Sequence, residues 1–303
     1  MSVNIMAYFY YLFIISVPTI VFSLGLAFTL MSLIKNQAIT FLILLGYAAL
    51  DIFYLYFRVG YILDYMAFGL PVFKSGIIGF DNLSVIINQR LIYLFSGLSL
   101  IMATILLFKR LPQSKFHRIL TIIFLFVFLA GSIICSINTY STYRKKVIDK
   151  RLVIETNRTF ENKKFASITD ASIEFIHKGN SFEANAALTI SNDNNDPIGQ
   201  YYFSLNPSLT VTKIYSGGKE LSFKRINHII EINPGKLLNP GESDNIDFVY
   251  SGSINESFCY PNYSDNIKEN PYRISIVNVN KRQAFLTKDY VLLTPETHWY
   301  PVA

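Results

Sequence analysis

Four long apolar runs constrain this chain more than any other feature. Met1–Ile34 contains no charged side chain, and three further apolar runs follow it. A helix needs about 20 apolar residues to cross the hydrocarbon core of a bilayer, and its backbone polar groups must be satisfied within the segment. We therefore predict membrane-spanning helices at about 8–33, 39–57, 91–108 and 119–140. Core helices of a soluble protein are the alternative.

Charge divides the chain into two halves. The sequence has 27 Lys and Arg and 21 Asp and Glu; residues 1–150 hold 12 and 4 of these, which leaves 15 and 17 for the remainder. The basic residues lie between apolar runs rather than along one polar face, which argues against nucleic acid as a partner. We predict a transmembrane helical bundle in a lipid bilayer (1–143), a juxtamembrane linker (144–160) and a second domain (161–303).

The orientation follows from the loop KRLPQSKFHR between the third and fourth runs. It contains Lys109, Arg110, Lys115 and Arg118, and basic loops are typically cytoplasmic. The second domain is then extracytoplasmic. The basic stretch 144–151 directly follows the fourth run, so both flanks of that run are basic and the opposite orientation remains the alternative.

Asp51 is the acidic residue within a predicted span. An ionisable side chain in lipid is unfavourable and marks a functional site by default. In the alternative interpretation, Asp51 lies one turn from the interface and points into water or at a tyrosine. The shorter aromatic stretch Tyr61–Phe73, interrupted by Asp64 and Pro71, is predicted to be interfacial or re-entrant.

The second half alternates apolar and polar residues with the period of a β-strand. The longest such set is Phe182, Ala184, Ala186, Leu188 and Ile190. Turn sequences such as Asn206-Pro207 and Ser216-Gly217-Gly218 separate the runs, and Lys219–Ile232 has the pattern of a hairpin. Short strands with these breakers predict an all-β sandwich.

The sequence contains no motif for a catalytic centre. The four histidines are not spaced as H-E-x-x-H, and G-x-S-x-G and G-x-x-x-x-G-K-[ST] are absent. Cys135 and Cys259 lie far apart, without C-x-x-C spacing. His228 is expected to be exposed or hydrogen-bonded. We expect no metal, no cofactor and no enzymatic activity of this chain alone.

Three stretches of the second half carry a resemblance to a family. They are FEANAALTISNDNNDPIGQYYFSLNPSLTVTKIYSGGKELSF, INPGKLLNPGESDNIDFVYSGSI and YVLLTPETHWYP, and they resemble the N-terminal β domain of the aminopeptidase N family of zinc peptidases. Pro240-Gly241 and Tyr250-Ser251-Gly252 match the family's bend and strand end. In the first half, NQRLIYLFSGLSLIMATILLFKRLPQS resembles bacterial ABC exporter permeases, typical of Bacteroidetes, that are fused to an aminopeptidase-like domain.

The resemblance implies a permease-like component of the bacterial inner membrane with a non-catalytic, extracytoplasmic β domain. A separate ABC ATPase and further permease or peptidase-domain chains would be its partners. The loop holding Lys109, Arg110, Lys115 and Arg118 would contact the ATPase and couple it to this chain. Glu296 falls where the family grips the free amino group of a peptide; the alternative is a turn residue after Pro295.

The fused proteins of that family are longer and continue into a zinc domain with H-E-x-x-H. We therefore expect this chain to correspond to an interior slice with an incomplete β domain, in which Trp299 and Tyr300 pack on strands that are missing here or that another chain supplies. Two alternatives to the transport function remain: a membrane-anchored β-domain binding module, and a truncated remnant of a membrane-bound zinc aminopeptidase.

Overall fold

The computed structural model describes most of the chain and divides it into two compact units. The helical unit ends at Lys145 and the β unit begins at Lys146. The structure describes residues 8–56, 58–70, 83–108, 114–261 and 284–303, together with the backbone of Lys74–Ser75 and Gly79–Phe80.

Four helices in the described part are long and apolar enough to cross a membrane, judged by length and composition. They are α1 (Tyr10–Ile34), α2 (Gln37–Leu55), α3 (Leu83–Leu107) and α4 (Lys115–Phe160). The prediction of four apolar helices is confirmed, whereas their insertion in a membrane stays a prediction. Two helices exceed their predicted lengths because α3 includes the polar triplet Asn88-Gln89-Arg90 and α4 continues through the predicted linker. Lys, Arg and Glu are good helix formers, so charge alone does not end a helix.

A two-residue connection joins α1 to α2. Lys35 adopts the left-handed conformation (φ 56°) that closes many helix C-termini. The Asn36 side chain then accepts hydrogen bonds from the backbone N–H groups of Ala38 (3.0 Å) and Ile39 (3.2 Å). This N-cap satisfies donors that the new helix cannot pair internally, and the two helices form a hairpin.

Helices α1 and α3 approach closely because glycine lies on both sides of their contact. A Cβ atom added to Gly97 would lie 2.6 Å from the backbone N and Cα of Phe22, and one added to Gly25 would lie 2.5 Å from the carbonyl oxygen of Gly97. The Thr29 hydroxyl donates to the carbonyl of Leu100 (3.0 Å) and lies 3.0 Å from the Thr104 hydroxyl. Small residues with interhelical hydrogen bonds are typical of helix packing in membranes.

The strands pair in antiparallel sheets. The strand order is β3-β4-β10-β6-β7 in a five-stranded sheet and β5-β9-β8 in a three-stranded sheet, while β1 pairs with β2 and β11 with β12. In chain order the strands are β1 (Lys74–Ser75), β2 (Gly79–Phe80), β3 (Ser167–Lys178), β4 (Ser181–Ser191), β5 (Tyr201–Ser204), β6 (Leu209–Ser216), β7 (Lys219–Glu220), β8 (Phe223–Ile226), β9 (Ile229–Ile232), β10 (Ser243–Gly252), β11 (Ala284–Leu286) and β12 (Val291–Leu293).

The two larger sheets share one apolar core. The alternating side chains of β4 are buried, and so are Phe248 of β10 and Phe203 of β5. The rings of Phe203 and Phe248 meet edge to face at 5.0 Å, which joins the three-stranded sheet to the five-stranded one. The prediction of β-strands from period-two alternation is therefore confirmed, and the structure adds that they pair antiparallel. Burial of this apolar surface is the main stabilising contribution in the β unit.

Two expectations about the β unit were wrong in detail. Lys219–Ile232 is not one hairpin. Gly217 and Gly218, both with positive φ, form the turn that joins β6 to β7, and the hairpin within this range is β8–β9. Trp299 has a partner on a strand of this chain, because its ring meets Phe175 of β3 edge to face at 5.9 Å.

Candidate functional site

Four polar side chains are buried together in the helical unit. Asp51 and Asp64 are 0% exposed, Gln89 is 1% exposed and Arg90 is 2% exposed. We refer to these four residues as the buried polar cluster. Removing such groups from water is unfavourable unless each finds hydrogen-bond partners, so their contacts decide what the cluster can do.

Arg90 directs its guanidinium at the chain that follows α2. Its Nη2 donates to the carbonyl oxygen of Asp64 (2.8 Å), and its Nη1 donates to the carbonyl oxygen of Tyr65 (3.0 Å) and to the hydroxyl of Thr19 on α1 (3.0 Å). Its Nε donates to Oε1 of Gln89 (2.6 Å). The planar fork of donors in arginine suits this task. Arg90 thereby joins α1, α3 and the connecting chain.

Two further side chains of α3 hold the same irregular segment. The amide nitrogen of Gln89 donates to the carbonyl oxygens of Tyr61 and Asp64, both at 2.8 Å. The Tyr93 hydroxyl donates to the carbonyl oxygen of Ile62 (2.5 Å). Buried backbone outside a helix or sheet must find hydrogen-bond partners elsewhere, and α3 supplies them here.

The two carboxyl groups differ in their hydrogen bonds. Asp64 accepts from the backbone N–H of Phe68 (2.9 Å) at one oxygen and from that of Gly69 (2.8 Å) at the other. Asp51 accepts at Oδ2 from the backbone N–H of Met66 (3.1 Å). Its buried Oδ1 has no hydrogen-bond partner in the part of the chain that the structure describes. Asp51 also opens the π-helical stretch Asp51–Leu55, a feature frequent at functional sites.

Aromatic rings surround the cluster. Tyr47 stacks on Tyr65 with ring centroids 4.9 Å apart, and Phe22 meets Tyr93 edge to face at 5.0 Å. The Arg90 guanidinium lies over the Tyr93 ring at 5.2 Å, a cation–π arrangement. Burial in these surroundings raises the pKa of Asp64, against the lowering effects of its backbone N–H partners and of the Arg90 charge. Electrostatic interactions in such a site are stronger than in water.

The structure separates the residues that the sequence singled out. Asp51 is buried in the cluster and does not point into water. Lys115 and Arg118 are exposed at the start of α4, and Glu296 is exposed in the short turn Pro295–Thr297. Lys109 and Arg110 lie outside the described residues. Functional roles for all six residues stay predictions.

Sequence reasoning missed Gln89 and Arg90. The predicted third span began at Leu91, directly after the triplet Asn88-Gln89-Arg90, although apolar residues flank this triplet on both sides in VIINQRLIYL. That flanking is the signal that could have placed Arg90 inside a helix. Asn88 is also internal: its amide donates to the carbonyl oxygen of Cys135 (3.1 Å) and to the hydroxyl of Thr139 (2.5 Å).

A second set of polar contacts lies in the β unit. His228 is 1% exposed, and its Nε2 lies 2.7 Å from Oδ1 of Asn157 in the last turns of α4. The Nδ1 atom of His298 lies 2.7 Å from the hydroxyl oxygen of Ser204. The ring of Phe258 lies between the two histidines, at 5.1 Å and 4.9 Å. His228 is therefore hydrogen-bonded, and it ties the end of α4 to the sheet.

Acidification should weaken the β unit through His228. Burial, followed by the charges of His298 and Arg225, lowers the pKa of His228 to about 4, whereas an unfolded histidine titrates near 6.5. The unfolded chain then binds more protons between these values. The free energy of unfolding has its full value above about pH 6.5, and it falls by about 2 to 3 kcal/mol as the pH drops to 4. Chemical denaturation of wild type and His228→Gln across this range measures the difference.

His117 provides the control for that experiment because it is exposed on α4. His117→Gln should keep the pH dependence of the wild type, and His228→Gln should make it shallower, with a remainder from His298, whose pKa burial also lowers. Equal slopes for wild type and His228→Gln would contradict the assignment.

The outer face of the five-stranded sheet carries a shallow hollow of about 260 Å³. Glu174, Asn185, Thr212 and Ser251 are among the residues that line it. The Asn185 amide donates to the Glu174 carboxylate at 3.1 Å. The hollow thus offers hydrogen-bonding groups at a surface. Within the described ranges, no group of three or more His, Cys, Asp or Glu is arranged to hold a metal ion.

Comparisons with known proteins give only a distant likeness. No family model matches the chain, and no curated protein matches it. Among solved structures, an M1 zinc metallopeptidase from Deinococcus radiodurans is similar over 31% of this chain and 21% of its own, with 14% identity and a TM-score of 0.28. Yeast LTA4 hydrolase is similar over 30% and 15%, with 8% identity and a TM-score of 0.26. The chain therefore spans about a fifth or less of these structural neighbours, and the similarity is at domain level.

Proposed function

We propose that this chain is an integral membrane transport component whose four apolar helices cross the bilayer. The observation that carries the proposal is the distribution of polarity in the helical unit. Charged groups are buried inside it, while large apolar side chains face outward: Phe41 is 62%, Leu42 64% and Phe53 70% exposed. A soluble protein hides such side chains, whereas a lipid environment favours them on the outside.

The buried polar cluster favours transport over simple anchoring. One apolar helix is enough to hold a domain at a membrane. Here three side chains of α3, those of Gln89, Arg90 and Tyr93, instead donate hydrogen bonds to an irregular segment between α2 and α3. Ionisable groups within helical bundles in lipid belong mostly to substrate paths, ion paths and proton relays.

The energy source in this proposal is a separate ATPase. The sequence has no nucleotide-binding loop of its own, and its first half resembles ABC exporter permeases. Lys115 and Arg118, exposed at the start of α4, would form part of the contact on the cytoplasmic side. The β unit would be a non-catalytic module on the opposite side, and the resemblance implies that Glu296 would contact a peptide amino group there. Further permease or peptidase-domain chains would complete the assembly.

Reversing the two basic residues should weaken the ATPase contact. In Lys115→Glu/Arg118→Glu, attraction to an acidic partner surface becomes repulsion, and we expect about tenfold weaker association. The measurement is the ATPase recovered with the tagged chain from detergent-extracted membranes, together with ATP hydrolysis in that preparation.

Lys219→Glu/Lys224→Glu is the matched control, because both lysines are exposed in the β unit and the charge change is the same. This control should recover the ATPase as the wild type does. An equal loss from both double variants would indicate a general charge effect and contradict the coupling role. Recovery of the wild-type chain in the aqueous fraction without detergent would overturn the membrane assignment itself.

A membrane-anchored binding module is the second candidate. The hollow on the outer sheet face, with its exposed Glu174 and Asn185, favours it. If the wild-type chain requires detergent for extraction but never recovers an ATPase, this second function replaces the first.

A further inference from the structure

The buried polar cluster contains one more acid than base. Asp51 and Asp64 lie with Arg90 in a region from which water is excluded. With both carboxyl groups ionised the three side chains carry a net charge of −1, and an uncompensated buried charge is strongly unfavourable. One bound proton makes the cluster neutral. Tyr47, Tyr65 and Tyr93 also interact electrostatically with these carboxyl groups, and a tyrosine phenol is neutral at ordinary pH.

The hydrogen bonds indicate which carboxyl group holds the proton. Both oxygens of Asp64 accept backbone N–H groups, which favours the charged form of that carboxylate. Asp51 accepts one N–H, from Met66, and its Oδ1 has no partner among the described residues. A buried, unpaired carboxylate oxygen is costlier than a neutral O–H. We propose that Asp51 is a proton-binding site, protonated at Oδ1 while Asp64 stays ionised beside Arg90.

The proton would act on the segment that the cluster holds. Asp51 binds the backbone at Met66 from one side, and Arg90 binds the carbonyls of Asp64 and Tyr65 from the other. Loss of the proton changes the cluster charge from 0 to −1 and adds repulsion between Asp51 and Asp64 across this segment. Coupling of proton uptake and release to transport rests on the proposed function, whereas the proton site rests on the geometry alone.

Infrared difference spectroscopy of the purified full chain in detergent tests the proposal. Wild type at neutral pH should give the C=O band of a protonated carboxyl group, which shifts in D2O and disappears as the pH rises. Asp51→Asn should remove this band and leave the unfolding midpoint nearly unchanged, because a neutral amide replaces a neutral acid. Asp244→Asn alters a buried carboxylate of the β unit that is paired with Lys236 at 3.0 Å, and it should keep the band.

Asp64→Asn distinguishes the two carboxyl groups of the cluster. Its amide group would turn N–H donors toward the N–H donors of Phe68 or Gly69, so the unfolding midpoint should fall by about 5 °C. Absence of the band in wild type, its persistence in Asp51→Asn, or equal destabilisation by Asp51→Asn and Asp64→Asn would each overturn the proposal. The spectra require neither cargo nor ATPase, so the proton site can be confirmed or rejected even if the transport function proves wrong.

Discussion

Arg90→Leu is expected to destabilise the helical unit more than any other single change to its polar groups. The substitution removes hydrogen bonds to Thr19, Asp64, Tyr65 and Gln89, and it leaves buried carboxyl groups without a positive neighbour. Breaking a buried ionic arrangement by removing one partner costs about 3–5 kcal/mol, which is a large part of the stability of a typical domain. Thermal unfolding of the detergent-purified chain, followed by circular dichroism of the helices, measures the effect.

Two further variants separate charge from geometry. Arg118→Leu removes an exposed arginine of α4 and should change stability by less than about 0.5 kcal/mol. Arg90→Lys keeps the charge, but a lysine amine cannot bind all the partners of the planar guanidinium at once. Its loss of stability should therefore lie between those of Arg118→Leu and Arg90→Leu. An Arg90→Leu protein that unfolds at the wild-type temperature would show that the network contributes little.

The helices of this unit could be predicted from the sequence, but the role of Arg90 could not. Apolar runs of sufficient length must pair their own backbone groups whatever their neighbours are, so composition alone indicates them. The function of Arg90 depends on where the carbonyl oxygens of Asp64 and Tyr65 lie, and these belong to an irregular segment about 25 residues earlier. Local periodicity contains no information about such a contact. The same limit applies to Asp51, whose position in a span was visible but whose backbone partner, Met66, was not.

In the β unit, the alternating pattern predicted which face of a strand is buried but not which strands pair with each other. Alternation identified the buried side of β4 because side chains of a strand point to opposite faces in turn. The order β3-β4-β10-β6-β7 pairs strands that are far apart in sequence, and no alternation encodes that order. The contact of Trp299 with Phe175 is equally non-local, which is why the sequence pattern did not identify this partner.

Gly97→Val is expected to separate α1 from α3. Even the Cβ atom alone would lie 2.6 Å from the backbone of Phe22 and 2.7 Å from that of Val21. These are backbone atoms, which cannot turn aside as a flexible side chain can. Overpacking of this kind costs about 3 kcal/mol, and close approach of the backbones is the source of stability at such helix contacts. The unfolding midpoint in detergent should fall accordingly.

Gly46 supplies the control because, outside its own helix backbone and chain neighbours, no atom of the described residues lies within 4 Å of a Cβ added there. Gly46→Val should leave stability unchanged or raise it slightly, since valine has a better helix propensity than glycine. A fall in Gly46→Val equal to that in Gly97→Val would mean that valine disturbs these helices by itself and would contradict the steric explanation.

The two largest effects should also depend on each other. Arg90 binds Thr19 of α1, and the Gly97 contact holds α1 against the same helix that carries Arg90. Once Gly97→Val has moved α1 away, the Arg90–Thr19 hydrogen bond is already lost, so the double variant with Arg90→Leu should be less destabilised than the two single effects combined. Full additivity in this double-mutant cycle would indicate that Arg90 acts through the α2–α3 segment alone, and that its hydrogen bond to Thr19 of α1 contributes little.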